Sequence, residues 1–193
     1  MVDRSTDPIE HEDAMLIQRA KDGDADAYGE LYERYANSVF RFVYSQTSNR
    51  FDAEDITADV FLRAWRSLSR YKERGFSFSA YLFRIARNVL IDRRRKQRPV
   101  AEISEDEVVN LPDMITPDPS LMFSAKIRHQ ELVSILAQLR EDYRTVLVLR
   151  FLNELSPEET SQVMGRSVGS VRVLQHRALS ALRKLIPAQG LEL

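Results

Sequence analysis

Apolar residues recur at steps of three and four over most of this chain, and little interrupts them: among 193 residues there are six glycines and seven prolines. From Asp24, an effective N-cap, they fall at Tyr28, Leu31, Tyr32, Tyr35, Val39, Phe40 and Val43, one face of a helix. A second helix is predicted from about Asp52, turning Val60, Phe61, Ala64, Trp65 and Leu68 inward. A third, from about Ser79, turns Tyr81, Leu82, Ile85, Ala86 and Val89 to the same interior. With a short helix over 14–20 they can bury a common core, which predicts a helical domain over 10–98.

Periodicity then fails. Residues 99–124 hold Pro99, Pro112, Pro117 and Pro119, and between 101 and 120 six acids and no base. This reads as an extended acidic linker. Helical spacing returns with Leu132, Ile135, Leu136 and Leu139, then Val146, Leu147 and Leu149, predicting a second small domain over 125–187. The expected fold is all-α: two helical domains joined by the linker. Only residues 188–193 follow, which leaves no room there for an appended sensory domain.

Several function classes are excluded early. There is no cysteine, so thiolate metal sites, disulfides and cysteine nucleophiles are absent. His11, His129 and His176 lie far apart, with no metal-ligand spacing. No run of about eighteen apolar residues predicts membrane insertion, and the acidic first thirty residues do not resemble a secretory signal. The expectation is a cytoplasmic protein with no cofactor, no metal and no catalytic residue.

The net charge of −1 hides a strong asymmetry. Residues 81–98 carry Arg84, Arg87, Arg93, Arg94, Arg95, Lys96 and Arg98 against Asp92 alone. Residues 166–184 carry Arg166, Arg172, Arg177, Arg183 and Lys184 and no acid. Two basic blocks separated by an acidic segment point to two sites for a polyanion; the alternative is two solvated helix faces.

The second block has a recognisable layout. Ser156-Pro157-Glu158-Glu159 reads as an N-cap, a proline at the first helical position and acids that complement the helix dipole. Gly165 stops that short helix, and Ser167 caps a longer one whose inner stripe is Val168, Val171, Leu174, Ala178, Leu182 and Leu185. Helix, tight turn and longer helix make a helix-turn-helix. Its outward face presents Ser170, Arg172, Val173, Gln175, His176 and Arg177, side chains able to enter a major groove. A plain helical hairpin with a basic surface is the competing interpretation.

Four motifs in order resemble the sigma-70 family, specifically the extracytoplasmic-function (ECF) sigma factors of bacteria. They are Asp24-Ala25-Asp26-Ala27-Tyr28-Gly29-Glu30-Leu31-Tyr32; Ala53-Glu54-Asp55-Ile56 with Phe61-Leu62-Arg63-Ala64-Trp65; Tyr81-Leu82-Phe83-Arg84-Ile85-Ala86-Arg87-Asn88 followed by Leu90-Ile91-Asp92; and Tyr143-Arg144-Thr145-Val146-Leu147 with the helix-turn-helix. The resemblance implies a transcription initiation factor that binds core RNA polymerase, promoter DNA and an anti-sigma factor. It implies a polymerase-docking stripe of Asp55, Asp59, Arg63 and Arg66, whose steps of four, four and three share a helix face. The structural alternative there is an Asp59–Arg63 pair worth only about 0.3–0.5 kcal/mol. The family commonly has glutamine where this chain has Ala58.

For the third helix the resemblance implies melting and reading of the −10 region. Asn88 would rim a pocket for a flipped base, and Arg84, Arg87, Arg93, Arg94, Arg95 and Lys96 would hold the strand. Tyr81 stands where the family often has tryptophan, and its spacing, like that of Trp65, favours the core. The helix-turn-helix would read the −35 duplex through Arg166, Ser167, Ser170, Arg172, Val173, Gln175, His176 and Arg177. Val173 and Leu174 stand near where the family often has a base. The linker resembles the segment that passes through the polymerase channels; a solubilising tether is its alternative.

Two other functions compete with this reading. A helix-turn-helix repressor or activator acting without polymerase explains 156–185 but not the basic third helix. A metal-dependent phosphotransfer enzyme or nuclease would rest on Asp52, Glu54, Asp55 and Asp59, acids that more often complement a helix dipole.

Overall fold

In the computed structural model, which describes residues 8–72, 76–97 and 134–185, the chain is built from helices, with no strand among the described residues. The first three are α1 (Pro8–Lys21), α2 (Ala25–Thr47) and α3 (Arg50–Ser67), the last running on into a 3-10 turn (Leu68–Arg70). Then come α4 (Phe78–Gln97), α5 (Glu141–Leu147) with a π-helical continuation (Val148–Leu152), α6 (Pro157–Met164) and α7 (Val168–Leu185). The expected linker, 99–124, lies outside the described residues, as do 125–133 and the chain beyond 185.

Local chemistry sets the helix ends. The Asp24 carboxylate accepts the N–H groups of Asp26 and Ala27 at the start of α2. The cap of α3 is Asn49, not the neighbourhood of Asp52: its side-chain oxygen accepts from Asp52 N–H, so the helix begins a half-turn earlier than expected. Ser77 Oγ accepts from Ala80 N–H at 3.3 Å and starts α4. Ser156 and Glu159 form a reciprocal capping box on α6.

The inner faces of α2, α3 and α4 meet through Leu31, Phe42, Ile56, Val60, Leu82 and Phe83, each almost wholly buried. Helix α1 is pinned to α2 by the buried Asp13, whose carboxylate accepts from Arg34 Nη1 at 2.5 Å and from the Tyr35 hydroxyl. Tyr81 is half-buried against Tyr71 (ring centroids 4.8 Å apart) and its hydroxyl meets Ser67 Oγ at 2.8 Å, so it belongs to the core. Two expectations fail at the rim. Trp65 keeps 38% of its surface exposed, its ring laid on Tyr28 at 4.5 Å, and Tyr32 is likewise exposed against Phe61. The α2–α3 contact runs out there before it can enclose such large rings.

The second helical unit packs directly on the first. Helix α4 lies against α6, and α2 against α5, so that one hydrophobic cluster runs from Leu82, Phe83 and Leu90 to Val146, Leu149, Val163 and Val171. Polar contacts line this junction. Glu159 on α6, only 6% exposed, accepts through Oε1 from Ser77 Oγ (2.5 Å) and Ser77 N–H (3.3 Å), and through Oε2 from Ser156 N–H and Oγ (both 2.8 Å). Thr145 Oγ1 donates to Gln46 Oε1 at 3.4 Å, and Arg94 pairs with Glu141 while donating to the Gln46 carbonyl.

Candidate nucleic-acid interfaces

Helix α4 sorts its basic residues into two groups. Arg84 and Asn88 are exposed, one turn apart on one side of the helix, with half-exposed Arg87 beside them. Neither these three nor exposed Lys96 makes a side-chain hydrogen bond or ion pair with another described residue. The other three arginines are engaged. Arg93 pairs with Asp52 and Asp55, Arg94 with Glu141, and Arg95 with Asp92 at 3.3 Å. The helix therefore offers a free patch of two arginines and an amide, with the positive charge of its last turns largely countered within the protein.

Asp55, Asp59, Arg63 and Arg66 do share the outer side of α3. Arg63 makes the i, i+4 pair with Asp59 at 2.9 Å and reaches Asp92 on α4 at 3.8 Å; these carboxylates, Asp59 foremost, raise its pKa, against a smaller opposing effect of burial. The stripe is not purely polar: Leu62, 56% exposed, lies in its middle. Sequence spacing could have found it, since Leu62 sits seven residues after Asp55 and four before Arg66.

The helix-turn-helix forms as its caps require. Gly165 adopts φ +64°, ψ +38°, and its N–H closes on the Ser161 carbonyl. Ser167 Oγ then accepts the Ser170 N–H at 3.2 Å, starting α7. Val171 and Ala178 are wholly buried, while Val168, Leu174, Leu182 and Leu185 of the expected stripe are only half-buried. Outward stand Ser170, Arg172, Val173, His176 and Arg177. Arg172 is 3.8 Å from Glu158, and Arg166 is held on Asp142 at 2.5 Å.

Gln175 departs from its expected outward place. It is half-buried, its Oε1 taken by Arg150 Nε at 3.1 Å. Arg150 in turn donates to the Leu155 carbonyl, so it ties the π-helical turn to the recognition helix. Twenty-five residues separate Arg150 from Gln175, and no local pattern in the sequence announces the pair.

Burial works against the Glu159 carboxylate, but the Ser77 and Ser156 hydrogen bonds outweigh it and hold its pKa below the usual value. Burial, then the neighbouring Arg94 charge, lowers that of Arg144, whose buried Nε finds no acceptor among the described residues. No three His, Asp or Glu side chains among the described residues converge as metal ligands, and no described helix is long and apolar enough to cross a membrane.

A helix-turn-helix packed on a helical unit that bears a basic face defines a two-part protein, built from helices over its described residues. The family models for Sigma-70 region 2 and Sigma-70, region 4 match residues 31–100 and 129–182. The chain is 34% identical over 176 residues to the ECF RNA polymerase sigma factor SigW of Bacillus subtilis, covering 87% of this chain and 93% of that one. It is also 34% identical over 173 residues to the ECF RNA polymerase sigma factor BldN of Streptomyces coelicolor, where the match covers 89% of this chain but spans 65% of the relative. Among solved structures, CnrH in complex with the cytosolic domain of CnrY superposes with a TM-score of 0.70 at 26% identity, over 93% of this chain and 99% of that one. The sigma factor RpoE in complex with the anti-sigma factor NepR from Bartonella quintana shares the fold, with a TM-score of 0.67 at 21% identity over 84% of this chain and 98% of that one. The chain belongs to the sigma-70 family and is of the ECF type.

Proposed function

We propose that this sigma factor binds core RNA polymerase, carries two DNA-reading surfaces to a promoter, and performs no catalysis of its own. The observation that carries this is the pairing, in one chain, of the free Arg84–Arg87–Asn88 face on α4 with a capped helix-turn-helix. Asn88, flanked by cations and with no hydrogen-bond partner among the described residues, supplies a polar rim for an unstacked −10 base. Arg84, Arg87 and Lys96 hold the strand backbone, while Arg93, Arg94 and Arg95 are spoken for by carboxylates. On the −35 side, Arg172, Val173, His176 and Arg177 face the groove, with Ser170 at its edge; Gln175 supports them from beneath through Arg150. Asp55, Asp59, Leu62, Arg63 and Arg66 form the surface for polymerase.

Such a factor works in the cytoplasm, where polymerase and chromosome are. An anti-sigma factor fits as a further partner, since RpoE of Bartonella quintana, which shares this fold, is seen in complex with one. The test mixes the purified chain with bacterial core polymerase, follows co-elution, then transcribes a library of random promoters. Co-elution with selective transcription is expected. No association, together with tight binding of the chain alone to duplex DNA, would favour a polymerase-independent repressor or activator instead.

A further inference from the structure

Arg93 carries charge of the right sign for DNA but is placed for another task. From α4 it spans to the start of α3, giving Nη2 to Asp52 Oδ1 at 2.6 Å and Nη1 to Asp55 Oδ2 at 2.8 Å. The two carboxylates differ in freedom. Asp52 sits in the first turn of α3, where its own N–H is held by the Asn49 cap. Asp55, one turn on, is 74% exposed at its side chain and opens the outward stripe that runs through Asp59 to Arg66. A guanidinium can hold two carboxylates at once because its donors are fixed in a planar fork; an ammonium has no such geometry.

We propose that Arg93 is a positioning residue for polymerase docking: anchored on Asp52, it fixes the Asp55 carboxylate in the orientation the polymerase meets. The proposal rests on reading the α3 stripe as the docking surface. A phosphate reaching Arg93 would have to displace two carboxylates or sit beside them, a like-charge contact that Arg84 and Arg87 do not impose. Nor does fold stability account for the arrangement, because partly exposed ion pairs contribute little to it. What the fork supplies is a restricted carboxylate, so less side-chain freedom is lost on docking.

The test compares R93K, which keeps the charge and loses the fork, with D55N and the double variant, by affinity for core polymerase and by melting temperature. R93K is expected to weaken core binding about three- to tenfold, to do so only while Asp55 is present, and to leave the melting temperature nearly unchanged. R93Q, assayed as saturated holoenzyme on promoter DNA, is expected to keep the wild-type salt dependence. Wild-type core affinity in R93K would overturn the proposal, as would an effect that persists undiminished in D55N, the mark of a purely structural role. So would a fall of about 0.7–0.9 in the salt slope of R93Q, the sign of a lost phosphate contact. Failure of the unaltered chain to bind core polymerase would overturn the docking reading itself, and is seen before any variant is made.

Discussion

At the scale of single residues, the difference between a charge and an available charge decides what α4 can do. Arg84 and Arg95 lie within one narrow arc of the helix, yet Arg95 is paired with Asp92 and Arg84 with no carboxylate among the described residues. Asn88 stands between them, with neither amide atom bonded to another described residue. If Asn88 lines the proposed base pocket, replacing it by alanine removes hydrogen bonds that only an unstacked base would receive. N88A is therefore expected to keep core affinity and lower open-complex formation about ten- to hundredfold, the equivalent of about 1–3 kcal/mol; permanganate footprinting of the melted region would check it. Equal losses in core binding and opening would remove Asn88 from the base pocket. Arg95 meets Asp92 within its own helix, but Arg93 and Arg94 are indistinguishable from the free arginines in the sequence, because their partners come from α3 and α5, up to 47 positions away in the Arg94–Glu141 pair.

At the scale of elements, the helix-turn-helix depends on one backbone conformation. Gly165 sits in the left-handed region, and a Cβ placed there would touch nothing within 4 Å. Any cost of substitution is then conformational, not steric crowding. G165A is expected to destabilise the protein by about 1 kcal/mol, a fall of about 2–4 °C in melting temperature for a chain of this size. G165N should cost less, since asparagine tolerates that region. Equal melting temperatures for G165A and wild type would show that the turn relaxes into another conformation. This element was legible in the sequence: the proline, the two caps and the glycine are local signals whose spacing alone sets helix, turn and helix.

At the scale of the molecule, Glu159 joins what the sequence divides. Its carboxylate closes the capping box of α6 and also takes the Ser77 N–H and hydroxyl at the start of α4. Glutamine has one acceptor oxygen where the carboxylate has two, so E159Q leaves one partly buried N–H group unpaired. The expected loss is about 1–3 kcal/mol. Because the folded pKa is depressed below the usual 4.5, this stabilisation is full above that pH and is lost as the pH falls through the folded value. The stability gap between wild type and E159Q should stay constant from pH 7 to about 5 and shrink below it; urea titrations at several pH values would measure it. The single tryptophan, Trp65, reports on the first helical unit, while far-UV dichroism reports on all helices. With one shared core, the two signals should coincide in the wild type. Separate transitions there would show that the two units fold independently.

The sequence by itself determined the helices, most of their caps, the helix-turn-helix and, in outline, the side of each helix that stays polar. All of these follow from interactions within a few residues: a 3.6-residue period, a carboxylate or hydroxyl on the next turn's N–H, a glycine where φ must be positive. It also carried the motifs whose order marks the family. Only the tertiary structure decided that Arg93 serves two carboxylates on α3, that Gln175 is claimed by Arg150, that Trp65 stays at the rim, and that Glu159 fastens one helical unit to the other. Each of those depends on partners tens of residues apart. A side chain's charge and hydrogen-bonding capacity are written in the sequence, but which neighbour consumes them is set by how the helices pack.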